Sequence, residues 1–465
     1  MTATRRIILA VDCGSTNLKG ALFSDALERL GDAAAPVPYS RAGGAEVEMP
    51  ADGLWEALLD VTRSVCRAGR VASTEITDVA FDSQAQTFAL CEASGRALTP
   101  FYSWMDYRAE AEAAEIAAHL GDGFHRHCSF APPIPQLQIC KMRWVRNHQP
   151  GALRQAAALA LLPGFFAGRL GVPNATDRNL AAMGGAYSLA TGDWWNDALE
   201  LAGFTASQMP RLVDVGTSLT ATAAPADPAF RPGLRITFAG NDQTAGAFGN
   251  GCDGGGMVLT LGTALVAYRH AGREPGPYNP GGCWGPYPGG SYYELGTIDQ
   301  GCQALDWARQ RLEPALSAAQ VDAAALRVMA AGRQSEAPLF LPQRIPGGQP
   351  WLGTPGDVDL QAYAVLEGIA FALRRLVEVS LRSASRAQEI AVVGGGSRSD
   401  VWLGLIADVL GTTVARGTGD ALLGAAAMAL GGGHGPAAAA PRRFRPTAGR
   451  AALLDDRYRR WLAEP

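Results

Sequence analysis

Residues 8–24 read ILAVDCGSTNLKGALFS, and this stretch limits the fold more than any other feature of the chain. Ile8 to Val11 and Gly20 to Phe23 have the apolar, β-favouring character of strands, and Asp12 to Asn17 between them carry only small or hydrogen-bonding side chains. Such a segment is a tight strand–turn–strand reversal with a carboxylate at its apex, and Lys19 stands just beyond it. A second one follows in the other half of the chain: GGMVLTLGTALVAY (255–268) repeats the pattern around Gly262 and Thr263. One hairpin opening each half predicts two related α/β units whose turns face each other across a cleft. Backbone N–H groups of small-residue turns form concave anion sites, and the Ser15, Thr16 and Thr263 hydroxyls add donors.

A third element, AVVGGGSRSDVWLGLIADVLG (391–411), reads as a strand, three glycines and a helix start. Gly394 to Gly396 permit close approach of a flat ligand, and a helix N-terminus favours negative charge. The dinucleotide-type match GNGCDG (249–254) is rejected. It follows an apparently helical DQTAGAFG and precedes the strand MVLTL, the reverse of the order that motif needs. The sequence also has no GxxxxGK[ST].

Length and charge narrow the class. A chain of 465 residues exceeds what one hydrophobic core usually organises, so two domains are expected. With 48% hydrophobic and 18% charged residues it is ordinary globular protein. A net charge of −4 without a dense Lys/Arg run gives no footprint for nucleic acid. Arg5 and Arg6 precede an apolar run that breaks at once on Asp12, so the run is a first strand and not a leader. No stretch approaches the ~20 apolar residues that span a bilayer, and no membrane partner is expected. The 8 cysteines are scattered without a CxxC pair, which fits free thiols in a reducing cytoplasm. His119, His125, His127 and Cys128 are the nearest approach to a metal cluster; His125 and His127 could share a strand face, but ordinary loop residues are the better reading.

Along the chain, 54–66 has helical spacing, ITDVAFDS (76–83) is a strand, and 93–120 gives a turn, a strand and a charged helix. ALRQAAALALLPGFFAGRLG (152–171) reads as helix up to Pro163 and Gly164. The Pro-rich 220–236 reads as a linker before a strand over Leu234 to Ala239, which divides the chain into 1–235 and 236–465. A long apolar helix is expected over 362–384, a loose low-complexity loop over 431–443, and a C-terminal helix after it. In AGNDQTAGAFG (239–249), Asp242 sits where a strand ends and a helix begins, where ligands meet open α/β sheets. It is either the helix N-cap or a pocket carboxylate able to take a proton from a hydroxyl.

The segments AVDCGSTNLKG, GNDQTAGAFG, LTLGTALVA, AVLEGIAFALR and VVGGGSRSDVWLGLIADVLG together resemble the FGGY carbohydrate kinases, of the actin/Hsp70/hexokinase-like superfamily. SWMDYRA and ATGDWWNDALEL resemble N-domain landmarks of that family, and the similarity runs from Ile8 to about Gly431. The resemblance implies an α/β fold of two ribonuclease-H-like (actin-like ATPase) domains flanking a catalytic cleft: a sugar-binding N-terminal domain and an ATP-binding C-terminal one. It implies ATP and Mg²⁺ as the chemical partners of a small sugar, and it allows a homodimer. By position, Asp12 would bind Mg²⁺, and Gly14, Ser15, Thr16 and Asn17 would approach the β- and γ-phosphates. Gly262 and Thr263 would form the second phosphate loop, Gly395, Gly396 and Ser397 would pack on adenosine, and Asp242 would be the general base. Lys19 is read first as a solvated strand residue.

The sugar is less marked. In FDSQAQTFAL (81–90), Ala85 and Gln86 replace the Arg-Glu pair that glycerol kinases carry after a Gln and the Met-His pair of xylulokinases. Gln84, Gln86, Trp104, Asp106, Arg108, Asp242 and Gln243 are the expected pocket residues. The competing reading makes Trp104 core and Asp106–Arg108 a structural ion pair. LFLPQRIPGGQP (339–350) lacks the Glu of the family's Gly-Glu-Arg-x-Pro segment, and Gln361 and Tyr363 replace an aliphatic residue and an arginine. The expectation is an ATP- and Mg²⁺-dependent kinase of a ketopentose (xylulose- or ribulose-like) or related ketose. The rivals are a polyol kinase of glycerol or erythritol type and a non-catalytic ATP-binding regulator on the same fold.

Overall fold

A computed structural model describes residues 5–274, 279–354, 356–381, 389–432 and 441–464. Two large sheets organise it. The first has the order β5-β6-β4-β1-β2-β3, from β1 (Ile7–Cys13), β2 (Asn17–Ser24), β3 (Arg29–Pro36), β4 (Asp78–Ser83), β5 (Ser218–Thr220) and β6 (Arg235–Asn241). The second has the order β9-β10-β8-β7-β11-β12-β13, from β7 (Met257–Leu261), β8 (Leu265–Gly272), β9 (Cys283–Tyr287), β10 (Ser291–Ile298), β11 (Glu389–Val393), β12 (Thr413–Arg416) and β13 (Arg443–Phe444).

Both central strands of the first sheet, IILAVDC and DVAFDS, are buried along their whole length, because helices cover both faces and parallel strands so enclosed must be apolar throughout. Helix α1 (Ala51–Gly69) buries Leu54, Leu58, Val61 and Val65 on one face. It comes so close that a Cβ on Gly20 would lie 2.5 Å from the Val61 side chain. The other face is covered from the far end of the sequence. After α2 (Asp242–Gly249), α3 (Val358–Ser380) and α4 (Asp400–Leu410), helix α5 (Ala421–Ala429) sets Leu422, Ala425, Ala426 and Met428 against Ile8, Ala10, Phe23, Ala80 and Ala239. Helices α2 and α5 touch backbone to backbone: a Cβ on Gly424 would stand 1.8 Å from the Ala245 carbonyl oxygen. Arg6 Nη2 donates to the Ala429 carbonyl at 2.7 Å, and Arg29 pairs with Asp420.

Several expectations are corrected. The boundary at 235/236 falls at the first residue of β6, which pairs in parallel with β4 and belongs to the first sheet; the second sheet begins at Met257. Within 152–171, a helix over Pro150–Gln155 covers the start, but Ala158–Leu161 is a strand paired residue for residue with Phe88–Cys91, and a separate helix follows at Leu162–Arg169. Phe124–His127 is one helical turn, not a strand; His127 stacks on Trp195 at 3.9 Å, with its Nδ1 2.8 Å from Ser188 Oγ. The helix after the three glycines starts only at Asp400, capped by Ser399, with a 3₁₀ turn over Gly395–Arg398 in between. Residues 382–384 of the expected long helix and 433–440 of the expected loop lie outside the described residues.

All eight cysteines are free. Among the described residues no helix is long and apolar enough to cross a membrane. Tyr363 donates to Glu367 at 2.9 Å, and Arg457 from the last helix bonds both oxygens of that buried carboxylate.

Candidate active site

The chemistry gathers where the parallel strands of the first sheet end. In the β1–β2 hairpin Asp12 lies opposite Lys19, and on its other side Asp12 lies opposite Asp82 of β4. One strand further, Ser83 pairs with Asn241, and Asp242 follows at the start of α2. Lys19, Asp12 and Asp82 thus form one row across three adjacent strands, and Asp242 continues it at the helix start that follows the fourth. The Lys19 ammonium meets Asp12 Oδ2 at 2.8 Å. Burial alone would lower its pKa, but Asp12, with Asp82 and Asp242 behind, outweighs that and raises it.

Asp242 is not the helix cap. Asn241 fills that role, its side chain accepting from the Thr244 amide at 2.9 Å. This leaves Asp242 as the first helical residue, with only Oδ1 engaged, by the Gln243 amide at 2.8 Å and the Asn241 amide nitrogen at 3.3 Å. Burial, and then the Asp12 charge, push its carboxyl from 3.8 up to about 6. Asn179 fixes this corner: its Oδ1 accepts from the Asn241 backbone, and its Nδ2 donates to Thr244 Oγ1 and to the Pro286 carbonyl in the second sheet. Neither Asp82 nor Asn179 was singled out from the sequence. An acid one residue from the end of DVAFDS looks like an ordinary strand end, and Asn179 is over sixty residues from its partners.

The turn after β1 opens to solvent at Thr16, and Gly14 is required there, since a Cβ would stand 2.9 Å from the Asn17 carbonyl. The second turn also exposes Thr263, and its backbone is pinned by Gly301 N to the Thr263 carbonyl (3.1 Å) and Cys302 N to the Gly262 carbonyl (2.7 Å). Gly394 (φ +89°) packs against Leu261 at the base of that turn, so the glycine loop and the second hairpin adjoin. A Cβ on Gly395 would meet nothing within 4 Å, whereas Gly396 backs onto Trp402 and Leu261. The Ser397 hydroxyl is spent on the Gly394 carbonyl at 2.7 Å.

Of the expected pocket residues, Gln84 adjoins the first turn: Nε2 donates to the Gly14 carbonyl at 3.1 Å, and its buried Oε1 accepts no hydrogen bond. Gln86, with φ +63°, donates to the Met183 carbonyl at 3.0 Å. Its own carbonyl is held by the wholly buried Lys141, whose pKa burial lowers to about 7. Trp104 is 39% exposed and is not core. Asp106 and Arg108 are corrected as free pocket groups. Asp106 is completely buried and accepts from Val47 N, Arg108 N and the Arg108 guanidinium, which also bonds Glu48 at 2.7 Å and stacks on Tyr102 and Trp144. That pair holds the N-terminal unit together.

Comparison with known proteins agrees with this geometry. The family model described as "FGGY family of carbohydrate kinases, N-terminal domain" matches residues 7–249, and its C-terminal counterpart matches 352–431. A glycerol kinase of Rhodospirillum rubrum is 28% identical over 456 residues, covering 92% of this chain and 90% of that protein. A xylulose kinase of Streptomyces rubiginosus is 24% identical over 465 residues, covering 95% and 92%. Among solved structures, a xylulose kinase from Rhodospirillum rubrum superposes with a TM-score of 0.87 at 24% identity over 98% of both chains, a likeness of fold: two actin-like domains.

Proposed function

Because the chain belongs to the FGGY family of carbohydrate kinases, whose members use ATP, we propose that it moves the γ-phosphoryl group of ATP to a hydroxyl of a ketopentose, with Asp242 taking that hydroxyl's proton. The observation that carries the reading is the row Lys19–Asp12–Asp82–Asp242 at the strand ends, beside the small-residue turn Gly14–Asn17. Phosphoryl transfer needs positioned dipoles, charge stabilisation and one base, and no covalent nucleophile.

Asp242 suits the base. A carboxyl raised to about 6 is ionised at neutral pH yet more basic than an ordinary aspartate, and Asn241 and Gln243 fix its orientation. The amides of Gly14 to Asn17 and the Lys19 ammonium present donors to the transferring phosphates. In the second turn the Gly262 amide is spent on the Ala264 carbonyl at 3.1 Å, which leaves the exposed Thr263 to present its donors, and the open space over Gly395 suits the adenosine. Asp12 fits a magnesium ion, since its Oδ1 is buried and accepts no hydrogen bond. The ion supplies neutralisation of phosphate charge when bound. Gln84 Oε1, buried and free, is the acceptor for a substrate hydroxyl, with Gln86, Gln243 and the Trp104 face beside it.

A ketose is favoured over glycerol because Ala85 and Gln86 stand where glycerol kinases carry an Arg-Glu pair. The polyol reading draws support from glycerol kinases at 26–28% identity over most of the chain. Coupled ADP release with Mg-ATP across ketopentoses, ketohexoses, glycerol and longer polyols tests this. Turnover on a ketopentose supports the proposal, and a polyol hit replaces the substrate. Silence across the panel with ATP binding intact points to the regulator.

A further inference from the structure

Two aspartates of β4 make an internal comparison. Asp78, at one end of the strand, is 1% exposed and saturated: Arg6 bonds both its oxygens, and the Thr77 hydroxyl donates to Oδ2 at 2.7 Å. This is how a buried structural carboxylate is normally kept, with donors on each oxygen. Asp82, four residues on in the same strand, is 0% exposed, and neither of its oxygens accepts a hydrogen bond. Its register partner Asp12 has Oδ1 in the same condition, while the one ammonium nearby, Lys19, serves Asp12 Oδ2. Register partners on parallel strands project to the same face of the sheet, so three buried carboxylate oxygens without donors stand together at the strand ends.

We infer that Asp82 is a second protein ligand for the divalent cation that accompanies ATP, so that the ion is held by the Asp12–Asp82 pair and not by Asp12 alone. The inference rests on the kinase reading for the presence of ATP. The ligand type is right: hard divalent cations take carboxylate oxygens, and magnesium is commonly held by one or two carboxylates with phosphate oxygens and water completing the shell. Among the described residues no group of three or more acidic, His or Cys side chains could hold a metal, so the remaining positions fall to phosphates and water. The unmet oxygens of Asp82 and the saturated ones of Asp78 then have one explanation: one acid is built for protein donors and the other for a cation.

Mn²⁺ is the probe, its free concentration read by electron paramagnetic resonance during titration of the full-length protein, alone and with ADP. Asp82→Asn should raise the Mn²⁺ dissociation constant at least tenfold in both titrations. It should leave metal-free ADP binding within twofold, because Asp82 faces the cation and not the nucleotide. The variant should melt no lower than wild type without metal, since it removes a buried charge; if it does not fold, Asp82→Ser takes its place in the same titration. A Mn²⁺ constant within threefold of wild type in a folded variant, with wild type binding both Mn²⁺ and ADP, overturns this inference and leaves the kinase reading standing. A wild type that binds neither overturns both.

Discussion

The two large sheets are copies of one plan, charged at the hairpin in one and uncharged in the other. Strands β3-β2-β1-β4-β6 and β10-β8-β7-β11-β12 share order and direction, antiparallel at the hairpins and parallel beyond them. Position by position, Asp12 two residues before Gly14 corresponds to Thr260 two residues before Gly262. Lys19, its cross-strand partner, corresponds to Val266, and Asp82 on the parallel neighbour corresponds to Val393. Three charges in one copy are a hydroxyl and two aliphatic groups in the other. On the proposed function, the difference teaches that turn geometry suffices on the nucleotide side, whereas side-chain charge is needed where a proton and a cation must be handled: one copy would carry the chemistry, and the other would hold a ligand through its loops.

The sharpest way to break that comparison is to remove charge from the first copy. Asp242→Asn should lower turnover by about 10²–10⁴ while ATP affinity stays within twofold, measured by coupled ADP release and calorimetry. Equal turnover would strip the first sheet of its assigned role. Asp12→Ala should raise the magnesium needed for half-maximal rate about tenfold or more, and an unchanged metal titration would count against it.

Acidity sharpens it further. With the Asp242 carboxyl raised from 3.8 to about 6, the rate should climb as pH rises through about 6, and this limb should vanish in the Asn variant. Stability moves the other way. A raised carboxyl favours the folded state below pH 3.8, and that contribution is lost as pH rises through about 6, so Asp242→Asn should melt higher than wild type at pH 8 and near it at pH 4.

In the second copy, geometry should matter and side chains should not. Gly394→Ala forces φ +89° on an alanine and sets its Cβ 2.6 Å from the Leu261 carbonyl oxygen, so a loss of about 1–3 kcal/mol in denaturant unfolding is expected, with weaker ATP binding. The smallest effect belongs to Thr260→Val, the counterpart of Asp12: stability within about 0.5 kcal/mol and turnover within twofold. A large loss there would show that the second hairpin uses its side chains after all.

Both hairpins and the glycine loop were legible because apolar runs broken by small polar turns have few other folds open to them. The duplication was visible only as two similar turns, since the remaining strands differ in length and in what is inserted between them. Asp82 was hidden because its meaning comes from lacking donors, a property of the packed interior. Asp242 could not be separated from a cap by sequence, as Asn241 and Asp242 are equally suited to that position; the backbone gives the cap to Asn241. The strand Ala158–Leu161 lay in an Ala/Leu run that serves helix and strand alike, and pairing with Phe88–Cys91 decides it. The Asp106–Arg108 pair stands open in the sequence between a pocket role and a structural ion pair, and burial beside Tyr102 and Trp144 makes it a brace.

Helix α5 sets the timetable of the molecule's birth. The face of β1, β2 and β4 that it covers is complete in the chain by Ser83, yet residues 421–429 are made only after strands β7 to β12 of the second sheet. Until then Ile8, Ala10, Phe23 and Ala80 have no cover, and the N-terminal half waits as an open, adhesive sheet through most of translation. A chain stopped before Ala421 would leave that half without its lid, so a fragment ending at the apparent domain border should associate with itself or with chaperones instead of folding as a separate unit. The first sheet is translated early and covered late.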